Sequence, residues 1–230
     1  MVRVTGCRLH PAPEDTGFRL AVIMKNIQGS LVTIEGIDGS GKSTLAEQLT
    51  AQDLGINPDQ LLKTREPTKE DIGQLLRSHL IGDSFNTIAE LHLFLADHAD
   101  HLERTVKPAL AENAPILCDR YFDSRCAYQA SGMEKIAEDP LSHIHDLHQP
   151  WTVTPDLTLL LDVDPERALE RLDTDDKFET ISALEEIREN YLTLAKRYPT
   201  RIKIIDANGS PTETRENAIN TINNTLKNRP

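Results

Sequence analysis

A glycine-rich segment at residues 36–43 constrains the fold of this chain more than any other feature. The segment reads GIDGSGKS and fits the pattern G-x-x-x-x-G-K-[ST] in full. The apolar run before it, at residues 31–34, predicts a short buried strand, and residues 45–49 after it are good helix formers. A strand, a glycine-rich turn and a helix in this order build a loop whose backbone N–H groups face an anion.

The lysine and the serine that end the segment have the chemistry of a nucleotide site. Lys42 is expected to reach the β- and γ-phosphates of a nucleoside triphosphate, and Ser43 is expected to hold Mg²⁺. The alternative is a glycine-rich turn that contains a lysine by chance, and the flanking strand and helix argue against it. The sequence therefore predicts nucleoside triphosphate binding, while the motif alone leaves open what is phosphorylated or switched.

The composition argues against two classes of partner. Lysine and arginine number 25, and aspartate and glutamate number 37, which gives a net charge of −12. That balance disfavours nucleic acid or an anionic membrane as the main partner. No apolar run approaches the roughly 18 residues of a transmembrane helix, so none is predicted. The three cysteines, Cys7, Cys118 and Cys126, have no metal-ligand spacing and are typical of a reducing cytoplasm.

Predicted strands and helices alternate along the chain. The strands are expected at 31–34, 61–65, 115–118, 157–161 and 202–205, and the longer helices at 71–80, 87–113, 133–149, 165–172, 182–197 and 211–227. This alternation predicts an α/β fold with a five-stranded parallel sheet and helices on both faces. Ligands of such sheets bind at the carboxyl ends of the strands. The polar residues at those ends are Asp38, Arg65, Asp119, Arg120, Asp162 and Asp206.

Residues 1–28 do not look like part of this domain. They contain two closely spaced prolines, show no sustained hydrophobic period and lack the apolar core of a signal peptide. The expected organisation is therefore a loose N-terminal extension at 1–28, with Met24 as a possible natural start, followed by one domain at 29–230.

Seven segments resemble thymidylate kinases in sequence and in order. They read EGIDGSGKST, TREPT, AELHLFLADHADH, CDRYFDSRCAYQ, PDLTLLLDVDPERALER, DKFE and IDA, between residues 31 and 207. The TREPT form, together with ADH, is most similar to archaeal members. The resemblance implies a P-loop NTPase fold and transfer of the γ-phosphate of ATP to dTMP, giving dTDP, with Mg²⁺ as the cofactor. It also implies a cytoplasmic homodimer, with neither nucleic acid nor membrane as a partner.

On the donor side, the resemblance implies that ATP is bound by the glycine-rich loop and by two later positions. The expected ATP-binding residues are Gly36, Ile37, Asp38, Gly39, Ser40, Gly41, Lys42, Ser43, Thr44, Arg171 and Ala207. For the metal, the resemblance implies that Ser43 holds the ion and that Asp119 orders metal-bound water.

On the acceptor side, the resemblance implies a pocket for dTMP. The expected residues are Asp38, Arg65, Phe94, His98, Arg120, Ser124, Tyr128 and Gln129. Phe94 would stack on thymine, and Tyr128 would close the sugar pocket against a ribose 2′-hydroxyl. The expected catalytic residues are Lys42, Arg120, Asp38 and Arg65, with Arg65 on the acceptor phosphate and Arg120 between the two nucleotides, where charge develops. The alternative for each arginine is a surface ion pair, and for Phe94 and Tyr128 it is core packing.

Two departures from the family pattern bear on function. His98 stands where the family usually has an arginine that reads the base edge. Because His98 follows Phe94 by four residues, we expect both in the base pocket, with weaker rejection of cytosine than an arginine would give. The second departure is a lid near 172–179 that offers only Lys177, with Arg171 just before it.

Other functions fit the glycine-rich motif as well. One is a kinase of another nucleoside monophosphate or of a deoxynucleoside, and another is a nucleotide-binding protein with little turnover. A GTPase switch is disfavoured because the sequence has no N-K-x-D pattern. Lost turnover is disfavoured because both Asp119 and Arg120 are present.

The N-terminal extension gives a first testable prediction. A chain that begins at Met24 should keep the melting temperature and the activity of the full chain, because residues 1–23 show no pattern that would pack on the domain. Thermal unfolding and kinase assays of the two chains measure this. A fall of several degrees, which in a chain of this size corresponds to about 1 kcal/mol or more, would show instead that the extension is part of the fold.

Overall fold

Five parallel strands form the centre of the domain in the computed structural model, which describes residues 27–80, 85–172 and 180–226. The strands are β1 (Leu31–Glu35), β2 (Leu62–Arg65), β3 (Ile116–Asp119), β4 (Leu157–Asp162) and β5 (Ile202–Asp206). Their order across the sheet is β2-β3-β1-β4-β5, and every pair is parallel. The α/β fold with a five-stranded parallel sheet, expected from the sequence, is confirmed.

Helices connect the strands. They are α1 (Lys42–Gln48), α2 (Asp71–Leu80), α3 (Thr87–His101), α4 (Lys107–Ala111), α5 (Phe122–Gln129), α6 (Pro140–His148), α7 (Pro165–Glu170), α8 (Ile181–Arg197) and α9 (Pro211–Leu226), with a 3₁₀ turn at Pro58–Gln60. The chain moves one way across the sheet from β1 to β2 and the other way from β2 to β5. Right-handed crossovers in opposite directions place helices on opposite faces, and α9 returns to pack on α1.

The burial of the strands explains their composition. All residues of β1 and β3 are buried, and so are the first five of β4. Strands covered on both faces read as near-continuous apolar runs, as in LVTIE and LTLLLD. The edge strand β2 alternates between half-buried and exposed residues instead.

The strand register gathers the polar strand ends. Arg65 is aligned with Asp119, and Asp119 is aligned with Ile34, two residues before Gly36. The carboxyl ends of β2, β3 and β1 therefore meet at one edge of the sheet, next to the glycine-rich loop.

Two predicted helices differ from the structure. The helix expected at 87–113 is divided by a π-helical segment at Leu102–Val106, next to Pro108, which cannot donate a helical hydrogen bond. The helix expected at 133–149 begins only at Pro140, where Asp139 caps it by accepting from the backbone of Ser142.

Some predicted segments lie outside the described residues. These are 1–26 of the N-terminal extension and 173–179 of the lid, including Lys177. Within the described ranges, no helix combines the length and apolarity needed to cross a membrane.

A buried carboxylate ties the end of β1 to two helices. Glu35 accepts hydrogen bonds from the backbone N–H of Tyr121 (2.7 Å), the hydroxyl of Ser124 (2.5 Å) and the hydroxyl of Tyr191 on α8 (2.9 Å). Burial and the neighbouring Asp123 raise the pKa of Glu35 to about 7, against the hydrogen bond from Ser124 and the charge of Arg120. The fold therefore favours the protonated form of this carboxyl group.

This raised pKa predicts a pH dependence of stability. Between the ordinary pKa of 4.5 and about 7, folded Glu35 holds a proton that the unfolded chain has released. The free energy of unfolding should therefore fall as pH rises through this window, by up to about 3 kcal/mol from this group. Glu35→Gln cannot titrate. Its amide oxygen can accept from the backbone N–H of Tyr121, while its amide nitrogen would donate to the hydroxyl oxygens of Ser124 and Tyr191, which reverses two of the three hydrogen bonds. The free energy of unfolding of this variant should therefore fall less than that of the wild type between pH 4.5 and 7.5, by about that amount.

Urea denaturation at the two pH values measures the difference, and Glu112→Gln is the matched control. Glu112 is exposed, so the control has the same charge change without the burial and should follow the wild type. Equal pH slopes in all three proteins would contradict the assignment to Glu35.

Candidate active site

The glycine-rich loop has a conformation that only glycine adopts readily at three positions, and two of them bear on phosphate binding. Gly39 and Gly41 have φ angles of +76° and +92°. A Cβ atom on Gly39 would lie 2.1 Å from the carbonyl oxygen of Ala168 on α7, so packing also requires glycine there. Among the residues that the structure describes, none has an atom within 4 Å of a Cβ placed on Gly41, the residue before α1. The loop is therefore open at the start of α1, where phosphate groups would approach.

Lys42 is buried against this loop. Its Nζ donates to the carbonyl oxygen of Ile37 at 2.7 Å and lies 3.9 Å from Asp38 Oδ1. Burial, and then the charge of Arg120, lower the pKa of Lys42 to about 8, although Asp38 and Asp119 oppose this shift. A bound phosphate would supply a closer anionic partner than Asp38, which lies 3.9 Å from the ammonium group.

Ser43 and Asp119 supply oxygen ligands suited to Mg²⁺. The Ser43 hydroxyl donates to Asp119 Oδ2 at 2.7 Å, and Asp119 Oδ1 is buried without a hydrogen-bond partner in the described part of the chain. Mg²⁺ prefers such hard oxygen ligands and takes its remaining ligands from phosphates and water. These two residues therefore fit the expected metal.

A cavity of about 180 Å³ lies on the outer side of the loop. It brings together five of the expected ATP-binding residues: Ser40, Gly41, Thr44, Arg171 and Ala207. The Arg171 guanidinium donates to the carbonyl oxygens of Gly39 (3.3 Å) and Ala207 (3.4 Å), which fixes it across the cavity. Gln48 and Thr214 also line it and were not predicted.

A second cavity, of about 190 Å³, lies on the other side of Asp38. We call it the acceptor cavity. Its lining contains seven of the eight residues expected to bind the second nucleotide: Asp38, Arg65, Phe94, Arg120, Ser124, Tyr128 and Gln129. It also contains Glu66, Pro67, Arg77, Tyr121 and Arg125.

Arg120 connects the glycine-rich loop to the acceptor cavity. It follows β3 with φ +64°, a conformation that non-glycine residues rarely adopt and that concentrates at active sites. Its guanidinium forms an ion pair with Asp38, donates to Ser124 Oγ (3.3 Å) and lies 5.0 Å from the Tyr128 ring centroid. Tyr128 in turn donates to Asp38 Oδ2 at 2.8 Å. These contacts fix the cation between the glycine-rich loop and the acceptor cavity.

Two further arginines stand at the acceptor cavity. Arg65 is exposed at the end of β2, and Arg77 on α2 donates to the carbonyl oxygen of Pro67 at 2.8 Å. Arg77 was not predicted. The sequence did contain a signal for it: this arginine lies on the helix that follows the Arg-Glu-Pro turn, in a chain with few basic residues near the glycine-rich loop.

A wider cavity, of about 620 Å³, runs along the edge strand β2 from Ser43 and Asp119 to Arg104. Basic and acidic side chains alternate on its wall, and neither Phe94 nor Arg120 lines it. It shares Arg65 with the acceptor cavity, so it borders the site without containing the aromatic wall that a base would need.

The structure does not bring His98, expected in the base pocket, to the acceptor cavity. Its side chain is 0% exposed and does not line the acceptor cavity. Its Nδ1 is 2.8 Å from Glu66 Oε1, and its Nε2 is 2.8 Å from Thr152 Oγ1. Phe94 and His98 share a face of α3, but His98 lies one turn further along the helix and is buried against Glu66.

Two of the three histidines of α6 are also buried. His145 and His148 are buried, and only His143 is exposed. Burial lowers the pKa of His148 to about 3, and the ring lies 5.4 Å from that of His98. These rings form core packing behind the acceptor cavity.

Sequence comparison matches this chain to thymidylate kinases. The thymidylate kinase family profile matches residues 34–219. A probable thymidylate kinase of Methanosarcina acetivorans is 42% identical over 85% of this chain and 96% of its own length. A probable thymidylate kinase of Natronomonas pharaonis is 42% identical over 85% and 98%.

A solved structure agrees with these sequence matches. The crystal structure of thymidylate kinase from Ehrlichia chaffeensis aligns with a TM-score of 0.62 and 27% identity, over 84% of this chain and 98% of that chain. Because the family profile and the relatives match most of the domain, and the fold is shared, this chain belongs to the thymidylate kinase family.

Proposed function

We propose that this chain transfers the γ-phosphate of ATP to dTMP and produces dTDP. The observation that carries the proposal is the position of Arg120, which pairs with Asp38 of the glycine-rich loop and also lines the acceptor cavity. A cation fixed between two nucleotide sites is placed where charge develops during phosphoryl transfer.

On the donor side, the loop and the ammonium group of Lys42 hold the triphosphate, and Arg171 lies beside the adenine end of the cavity. Bound Mg²⁺ would neutralise charge on the phosphates, and Ser43 and Asp119 are the residues that would hold it. Arrival of the phosphates gives Lys42 a stronger partner than the carbonyl oxygen of Ile37, to which its ammonium group donates at 2.7 Å.

On the acceptor side, Arg65 and Arg77 bind the phosphate of dTMP, since planar guanidinium groups suit bidentate phosphate contacts. The Phe94 ring stacks on thymine. Tyr128, held by Asp38 at 2.8 Å, closes the sugar side of the cavity. Gln129 donates from Nε2 to Glu90 (3.2 Å), which leaves its amide oxygen to accept from the N3–H of thymine.

The proposal extends to the whole protein. Residues 29–230 form the catalytic domain and residues near 172–179 form a short lid, which Arg171 precedes. The enzyme acts in the cytoplasm, in keeping with the free buried thiols of Cys118 and Cys126. It acts as a homodimer, and exposed apolar side chains such as Leu75 on α2 (41% exposed) offer contact area.

The activity is tested by coupled ADP release with ATP and Mg²⁺, offering each nucleoside monophosphate in turn. We expect dTMP to give the highest kcat/KM, because the Gln129 amide oxygen can accept from the N3–H of thymine and Tyr128 closes the sugar side of the cavity. Any other monophosphate used at least tenfold better than dTMP would refute the assignment.

A second prediction concerns Arg120. Arg120→Ala should lower kcat by at least about 10²-fold, as expected for a lost electrostatic donor in the transition state. The dissociation constant for ATP should stay within a few-fold of wild type, because Lys42 and the loop remain. Steady-state kinetics and isothermal titration calorimetry measure the two quantities.

Arg197→Ala is the matched control. Arg197 pairs with the surface residue Asp139 on the side of α8 that faces α6, so its loss should leave kcat unchanged. Normal turnover in Arg120→Ala would remove Arg120 from the mechanism.

A further inference from the structure

We infer that Arg125 on α5, rather than the residue at position 98 of α3, reads the position-4 oxygen of the acceptor base. This inference rests on the proposed function, because it concerns the same cavity and the same substrate. It assigns base selectivity to a residue that follows Ser124 in the chain and was not among the expected site residues.

The position of Arg125 supports the inference first. It lines the acceptor cavity together with Phe94, the proposed stacking surface. Its Nε donates to the carbonyl oxygen of Phe94 at 3.4 Å, and its Cζ lies 6.0 Å from the centroid of the Phe94 ring. A base that contacts Phe94 would therefore have this guanidinium beside it.

The hydrogen bonds of the guanidinium leave one donor group available. Nε is used by Phe94, and Nη2 forms an ion pair with Glu66. Nη1 has no hydrogen bond to any residue in the described ranges, and it is not among the atoms there that are both buried and unpaired. Nη1 is therefore not fully buried, although Arg125 as a whole is only 2% exposed, and it can donate to a ligand in the cavity.

A buried cluster fixes the orientation of Arg125. Glu66 is 3% exposed and accepts on Oε1 from Nδ1 of His98 (2.8 Å) and of His101 (2.6 Å), while Oε2 pairs with Arg125. The two imidazole Nε2 atoms are each 2.8 Å from a threonine hydroxyl, Thr152 and Thr64. This fits neutral rings that donate from Nδ1 and accept at Nε2. His98 thus acts behind the cavity, as a positioning residue for Glu66.

The charges in the cluster agree with this geometry. Burial alone would raise the pKa of Glu66, but Arg125 and the two histidines hold it well below its usual range. Burial lowers the pKa of His98, against the attraction of Glu66. The carboxylate is therefore charged, and it holds Arg125 in one place without neutralising Nη1.

The chemistry of arginine determines which base is accepted. A guanidinium only donates hydrogen bonds. Thymine presents an oxygen at position 4 that accepts, whereas cytosine presents an amine that donates. Cytosine would therefore leave Nη1 unpaired in a site that is largely closed to water, and sites built for one hydrogen-bonding pattern discriminate strongly against its loss.

The test compares dTMP with 5-methyl-dCMP, which has the same methyl group, sugar and phosphate and differs only on the base edge. Arg125→Gln should lower the ratio of kcat/KM for dTMP over 5-methyl-dCMP by at least about tenfold, because an amide can both donate and accept. The KM for ATP should not change. The double variant Glu66→Gln/Arg125→Gln removes the carboxylate as well and should show the same loss of selectivity if the single variant fails to fold.

Asp123→Asn/Arg201→Gln is the matched control. It removes another buried arginine–carboxylate pair, with Nη1 to Oδ2 at 2.6 Å, and Asp123 lies on the same helix α5. Neither residue lines the acceptor cavity. This variant should lose stability and keep the dTMP preference. If the Arg125 variants lose activity on both nucleotides in equal proportion, as a structural residue would cause, the inference is overturned.

Equilibrium binding of the two nucleotides without ATP separates this inference from the proposed function. A wild-type protein that prefers dTMP in binding, loses that preference in Arg125→Gln, and yet makes no dTDP would support the role of Arg125 and refute the kinase activity. A wild-type protein that binds both nucleotides equally would refute the role of Arg125.

Discussion

The ion pair between Arg120 and Asp38 connects every part of the site. Burial opposes the charge on Arg120, and Asp38 is the main group that stabilises it, so the pKa of the guanidinium stays well above its usual value. The side chains of this pair are 17% and 33% exposed, and a half-buried ion pair gives little net stability because desolvation offsets much of the attraction. Its value here is positional, since the left-handed backbone at residue 120 and the contact with Tyr128 leave the cation few other orientations. A donor fixed before the substrate arrives needs no reorganisation when charge develops.

Two buried carboxylates support the arginines from beneath, and each follows or ends a strand. Glu35, at the end of β1, accepts from Ser124, whose oxygen accepts from Arg120. Glu66, directly after β2, holds Arg125. Both acids lie where parallel strands end and loops begin, so the sheet fixes the carboxylates and the carboxylates fix the cations. The strands thus position the arginines indirectly, through the buried acidic side chains between them. Such a supporting layer holds a functional site in a precise geometry.

Much of this fold could be predicted from the sequence because periodicity and the order of elements restrict a βαβ chain to few arrangements. The strand ends, and with them Asp38, Arg65 and Asp119, follow from that order alone. His98 could not be placed, since helical spacing shows which residues share a face and not how deep each one lies. Arg125 was missed for a different reason: the residues expected from this segment, among them Ser124, came from the family resemblance, which gave no role to position 125. In the structure Ser124 and Arg125 both line the acceptor cavity.

The identities of residues 98 and 125 also constrain each other through charge. The cluster around Glu66 contains one carboxylate, one guanidinium and two histidines, of which His98 is kept neutral by burial. An arginine at position 98, as the family pattern usually has, would add a second cation at a site that is 0% exposed. Glu66 already pairs with Arg125, and the neighbouring carboxylate of Asp97 already accepts from the backbone N–H and the hydroxyl of Thr68. A second buried cation would therefore have to compete for these groups, which is unfavourable. A compact, neutral hydrogen-bond donor at position 98 therefore suits a cluster in which Arg125 of α5 already supplies the cation. The histidine at position 98, where the family usually has an arginine, is thus explained by the presence of Arg125.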